Sequence, residues 1–168
     1  MQLTARYLSA LNREVDRTRR ALTASPEGHG DWTPHPKSMA FGQLVWLVAT
    51  IPSWVTTMVM QDELDVAAAT PRNQPDPVHT QAAWLAALDA GATSARQALG
   101  TTTDAHLETV WTLKAHGDAV SVMARADLIA DTFAHWAHHR GQLTVYLRLL
   151  GATVPALYGP SADDPRWM

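Results

Sequence analysis

The chain of 168 residues contains no cysteine. The absence of thiols excludes a disulfide, a thiolate metal site and a cysteine nucleophile within the chain. Any metal ion would have to be bound by histidine, by a carboxylate or by water. The eight histidines are therefore the first residues to consider as chemical groups.

Charged residues are scarce, and neither sign dominates. Lys and Arg number 13 against 16 Asp and Glu, which gives a net charge of −3. Because there is no basic field to hold a phosphate backbone, we expect no nucleic-acid partner. The glycine-rich phosphate-binding strings and the G-x-S-x-G string of serine hydrolases are also absent.

The stretch 39–60 carries no charge and is nearly long enough to span a bilayer. Pro52 interrupts it, polar residues punctuate it, and its flanks lack clusters of basic residues. We therefore predict a buried, kinked helix and no membrane partner. The N-terminal residues lack the apolar segment of a signal peptide, so we expect a cytoplasmic location.

The spacing of apolar residues predicts four long helices. They cover residues 3–22, 38–64, 76–99 and 124–150. The Pro- and Ala-rich stretch 66–75 predicts a long connection between helices two and three, and two short extended runs around a turn at 115–118 predict a hairpin. The expected fold is all-α: a four-helix bundle with that long connection and a short hairpin before the last helix, forming a single domain over residues 1–168.

The last helix carries a pair of histidines that suits a metal ion. His135 and His139 are four residues apart, so they lie on one helix face, at the edge of the apolar stripe. Two such imidazoles can bind one divalent ion, with a third ligand from another helix. The same pattern also fits two histidines hydrogen-bonded at the edge of a core. Arg140, on this helix, is predicted to form an interhelical ion pair.

Several segments together resemble one known family. The string HWAHHRGQL at 135–143, followed by YLR at 146–148, is similar to the last-helix signature of the DinB/YfiT-like proteins. The tail at 154–163 and the start of helix two at 38–44 also resemble that family, so the resemblance covers essentially the whole chain.

The resemblance implies a four-helix bundle, often dimeric, that holds zinc or nickel through three histidines. Two of these match His135 and His139, whereas the third, on helix two, falls on Leu47. An isobutyl group cannot donate an electron pair, and a site with two histidines completed only by water binds a metal more weakly.

Three interpretations of the substitution at Leu47 remain open. Gln43 or Thr50, one turn to either side, would share its face and replace the ligand. In the second interpretation, His35 in the loop before helix two or His79 at the start of helix three would fold over the site. In the third interpretation the metal site is lost, and the two histidines remain in a pocket.

The resemblance implies either a metal-dependent hydrolase or a thiol-dependent transferase, with His135 and His139 as ligands. The thiol would be a small molecule, because the chain has none. The competing hypothesis is a non-catalytic, dimeric binding protein that has lost the metal. A charged share of only 17% favours self-association, so a homodimer is expected in either case.

Overall fold

A computed structural model describes residues 2–67 and 80–166 of the chain. Within these residues it contains six helices and a three-stranded sheet. The helices are α1 (Leu3–Thr23), α2 (Phe41–Thr50), α3 (Pro52–Met60), α4 (Gln81–Thr101), α5 (Asp104–Leu107) and α6 (Arg125–Leu149). The strands are β1 (Glu63–Asp65), β2 (Val110–Ala115) and β3 (Asp118–Ala124).

The predicted all-α four-helix bundle is wrong. The structure contains a mixed sheet of order β1-β2-β3, in which β1 pairs in parallel with β2, and β2 pairs antiparallel with β3. The predicted second helix ends at Met60 rather than near Leu64, because the residues that follow turn out of the helix and pair as β1 with the hairpin. The predicted start of helix three near Asp76 lies outside the described residues, and α4 begins at Gln81.

The break between α2 and α3 lies at Ile51 and Pro52, where the two helices are bent by 46°. Pro52 has no N–H to continue the α2 ladder and takes the first position of α3, where none is needed. Gly91 of α4 packs against this bend: a Cβ there would lie 3.1 Å from the Ser53 backbone nitrogen. Glycine thus permits the close approach of α4 to α3.

Among the described helices, the bent pair α2 and α3 is the part to consider as a membrane span. No single helix among the described residues is long and apolar enough to cross a membrane. In the part of the chain that the structure describes, α2 and α3 taken together satisfy the criteria of length and composition, which buried core helices also satisfy.

Helix α6 runs antiparallel to α2 and α3, and three contacts fix its register. Near its middle, the indole Nε1 of Trp136 donates to the carbonyl oxygen of Val48 at 2.8 Å. Toward its end, the Tyr146 hydroxyl donates to the Met39 carbonyl at 3.0 Å. At its start, Arg125 donates through Nε to the Met58 carbonyl at 2.9 Å. The middle of α6 therefore lies against the α2–α3 break.

The buried Arg125 also joins α6 to the sheet. Its guanidinium donates to the carbonyl oxygens of Gln61 at 3.1 Å and Val110 at 2.9 Å, and it forms an ion pair with Asp62. At the other end of the sheet, the Asp65 carboxylate accepts from the backbone N–H of Gly117 at 2.7 Å in the hairpin turn. The Arg125 bonds hold the sheet against the end of α3 and the start of α6, and the Asp65 bond joins β1 to the hairpin turn.

The ion pair predicted for Arg140 is confirmed. Its guanidinium is fully buried, pairs with Glu14 of α1 and donates to the Thr18 hydroxyl at 2.8 Å. Burial acts to raise the pKa of Glu14, but Arg140, the Tyr158 hydroxyl and Arg17 outweigh it, so the pKa is lowered. The cluster ties α1, α6 and the C-terminal tail together.

Candidate functional site

A cavity of about 360 Å³ lies between α3, the inner face of the sheet and α6. Each of these elements contributes apolar side chains to its wall. They include Trp54 and Met58 from α3, Leu64 from β1, Trp111 and Leu113 from β2, and Leu128 from α6. The wall is therefore predominantly apolar and contains two indole rings.

The local periodicity of each element explains why these side chains meet. Trp111 and Leu113 are two apart on β2, so both project from the same face of the strand. Trp54 and Met58 are four apart on α3 and share one helix face. On α6, Leu128, Asp131 and His135 recur at the spacing of a single face.

The ionisable side chains in the cavity wall are Asp131 and His135, one turn apart on α6 and both exposed to solvent. Among the described residues, the Asp131 carboxylate makes no ion pair or hydrogen bond. The neighbouring Thr132 hydroxyl donates to the Leu128 carbonyl at 2.9 Å, so it is already satisfied. The wall thus offers one uncompensated carboxylate beside one imidazole.

The predicted histidine pair is brought together. The ring centroids of His135 and His139 are 4.5 Å apart, and His135 packs edge-on against Trp54 at 5.4 Å. His139 Nδ1 and Gln142 Oε1 share a hydrogen bond of 2.8 Å. Burial, followed by the neighbouring His139 and His138, lowers the pKa of His135, so its imidazole is neutral at pH 7.

The donors that the sequence offers in place of a third histidine are not placed as ligands. Leu47 packs against the hydrophobic core. The hydroxyl of Thr50 donates to the carbonyl oxygen of Trp46 at 2.9 Å, and the side chain of Gln43 is exposed.

Among the described residues, the other candidate histidine, His35, supplies no third ligand either. His35 lies in an exposed loop, where its Nδ1 accepts from the Lys37 backbone at 3.1 Å. His79 lies outside the described residues. Within residues 2–67 and 80–166, no group of three histidine or carboxylate side chains is placed to hold a metal ion. The described residues therefore do not fit a site of three histidines.

Sequence reasoning missed the cavity and Asp131. The signal was present on α6, where Leu128, Asp131 and His135 share a face four residues before His139. Nothing local relates Trp54 to Trp111, which lie far apart in the chain, so the sequence does not show that the two indoles share one wall.

Two solved structures share this fold. One is a DinB-like protein from Bacillus cereus ATCC 10987, with a TM-score of 0.68 and 22% identity over 90% of this chain and 95% of that one. The other is the DinB-like protein YjoA from Bacillus subtilis, with a TM-score of 0.67 and 16% identity over 96% of this chain and 99% of that one. At such identities the likeness extends to the fold alone.

The sequence comparisons identify the family. The model of the DinB family matches residues 1–166, so the chain belongs to the DinB family, and the resemblance found in its sequence is confirmed. A short segment of 42 residues is also 43% identical to YrdA from Bacillus subtilis strain 168. That match spans a quarter of this chain and a quarter of YrdA.

Proposed function

We propose that this DinB-family protein binds a small, predominantly apolar molecule in the cavity between α3, the sheet and α6. The observation that carries the proposal is the cavity itself, with two indoles in its wall and an uncompensated carboxylate beside His135. Its volume of about 360 Å³ lies within the range of small-molecule sites. Such sites combine mostly apolar walls with a few polar groups that orient the ligand.

The pattern of donors also supports binding rather than metal chemistry. Leu47 contributes no electron pair at the position where the resemblance implies a third histidine. Two imidazoles remain beside the cavity, and the pKa of His135 is held below its usual value. A neutral imidazole can accept a hydrogen bond from a ligand, or donate one to it, without any metal.

Filling the cavity should weaken ligand binding. Leu113→Trp places a larger side chain at the wall, and we expect it to weaken binding of the uncharged apolar dye N-phenyl-1-naphthylamine by about 10-fold or more, equivalent to about 1.4 kcal/mol. Dye fluorescence titrated against the wild-type protein and the variant measures the effect.

Thr112→Trp is the matched control, because Thr112 is the adjacent residue of β2 and projects from the opposite face of the strand. Its affinity for the dye should equal that of the wild type. Equal affinity of the wild type and a folded Leu113→Trp variant would show that the dye binds elsewhere, and the proposal would be rejected.

A metal-dependent hydrolase or thiol-dependent transferase is the second candidate, with zinc or nickel as the metal. It is favoured by the 4.5 Å separation of the His135 and His139 rings and by the Gln142 contact, which orients one of them. This candidate requires a further ligand beyond those that residues 2–67 and 80–166 supply. Stoichiometric metal in the purified protein, lost in His135→Ala, would support it.

We also propose that the protein is a homodimer in solution. Large apolar side chains are exposed on its surface, among them Met60, Val120 and Val122. Because burial of such side chains favours association, we expect light scattering at micromolar concentration to give twice the 18.3 kDa of one chain. A mass of one chain at that concentration would contradict the proposal.

A further inference from the structure

The charge at the cavity wall is one-sided. Asp131 contributes a carboxylate, and no lysine or arginine is among the described side chains that line the cavity. Among the described residues, this carboxylate also has no partner elsewhere. His135 is the other ionisable group of the wall, and the described wall contains no second carboxylate.

The rest of the wall favours a cation with an organic body. Trp54 and Trp111 line the same cavity as Asp131, and indole is the aromatic ring that attracts cations most strongly. The remaining wall, which includes Met58, Leu64 and Leu113, accommodates hydrocarbon. An anionic group at the same place would be repelled by Asp131.

We infer that the cavity takes an organic amine, with its hydrocarbon or aromatic part between α3 and the sheet and its ammonium group at the Asp131 carboxylate. This inference rests on the proposed binding function and specifies the chemical class of its ligand. Asp131 is then a specificity-determining residue, because it selects an ammonium group over a hydroxyl or a carboxylate of the same size.

Three compounds of one shape separate the contributions of charge and of the apolar body. They are 3-phenylpropylamine, 3-phenylpropan-1-ol and 3-phenylpropionate, titrated at pH 8 by isothermal calorimetry. We expect the amine to bind about 10-fold more tightly than the alcohol, since an exposed ion pair and a cation–π contact act together, and the acid to bind most weakly. Asp131→Asn should reduce the preference for the amine over the alcohol, because it removes the ion pair and leaves the indole rings in place.

Asp127→Asn is the matched control, because Asp127 is an exposed aspartate one turn earlier on α6 that does not line the cavity. It should retain the preference for the amine.

Alcohol binding that is lost in Leu113→Trp reports on the proposed function, independently of charge. If the alcohol binds in this way but the amine is not preferred, or if Asp131→Asn retains the full preference, the inference is overturned and the binding function stands. If none of the three compounds binds, both are overturned.

Discussion

Leu47→His should raise the affinity of the protein for Zn²⁺ by at least about 100-fold. Loss of a group that only supports a ligand lowers metal affinity by up to about 100-fold, so a new ligand should raise it by at least as much. The reason is geometric. Trp54 contacts His135, and the Met39 carbonyl accepts from Tyr146, so residues 47–50 of α2 lie opposite His139 on the antiparallel α6. A third imidazole at position 47 would complete the donor set of a three-histidine zinc site.

Metal analysis after dialysis, together with a competition titration of Zn²⁺, measures the effect of Leu47→His. Leu47→Gln is the control, because it introduces a polar side chain that is a poor ligand for zinc. The double variant Leu47→His/His135→Ala should lose the gain in affinity. An unchanged affinity for Zn²⁺ in a folded Leu47→His protein would contradict the placement of Leu47 beside the histidine pair.

Arg140→Met should lower the free energy of unfolding by about 3–5 kcal/mol at pH 7. The guanidinium is fully buried and pairs with Glu14, whose lowered pKa keeps it ionised at this pH. Removing the Arg140 cation leaves Arg17 as the remaining ion-pair partner of the Glu14 carboxylate. Glu14 itself is largely buried. Urea unfolding followed by circular dichroism measures the loss.

Arg148→Met is the matched control, since Arg148 lies on the same helix in an ion pair with Asp163 and its side chain is 51% exposed. It should cost less than about 1 kcal/mol. The double variant Glu14→Leu/Arg140→Met should be less destabilised than Arg140→Met alone, because no uncompensated buried charge remains. Equal costs for Arg140→Met and Arg148→Met would show that the buried pair adds no more to stability than the exposed pair.

The long helices were predictable because their apolar residues repeat with the period of a helix. This signal located α1 and α6, and it placed Arg140 where it could pair with a carboxylate of another helix. Pro52 marked the bend in the second helix. The turn at His116 and Gly117 follows from a local sequence, and both residues adopt positive φ there.

Strand β1 was not predictable from local sequence. Glu63–Asp65 is only three residues long, and it becomes a strand through parallel pairing with Thr112–Lys114, which lie about fifty positions away in the chain. Periodicity within a segment carries no information about such a partner. The class of the fold was mispredicted for this reason, although the helices themselves were largely located.

One part of the candidate site could also be predicted from the sequence, and another part could not. Proximity of His135 and His139 follows from helical geometry within one segment, so the sequence was sufficient to bring the two rings together. The cavity depends on how α3, the sheet and α6 are assembled, and no segment contains that information. Asp131 acquires its significance only from its place in that assembled wall.

The cavity wall is built from segments that lie between Trp54 and His135 in the chain. The contacts of Arg125 and Asp65 hold these segments together. Because no unfolded or partly assembled chain can present this wall, an occupant binds only the native state and stabilises it by mass action. The melting temperature therefore reports occupancy directly. A thermal-shift screen of metabolite collections can search for the natural ligand before any reaction is known.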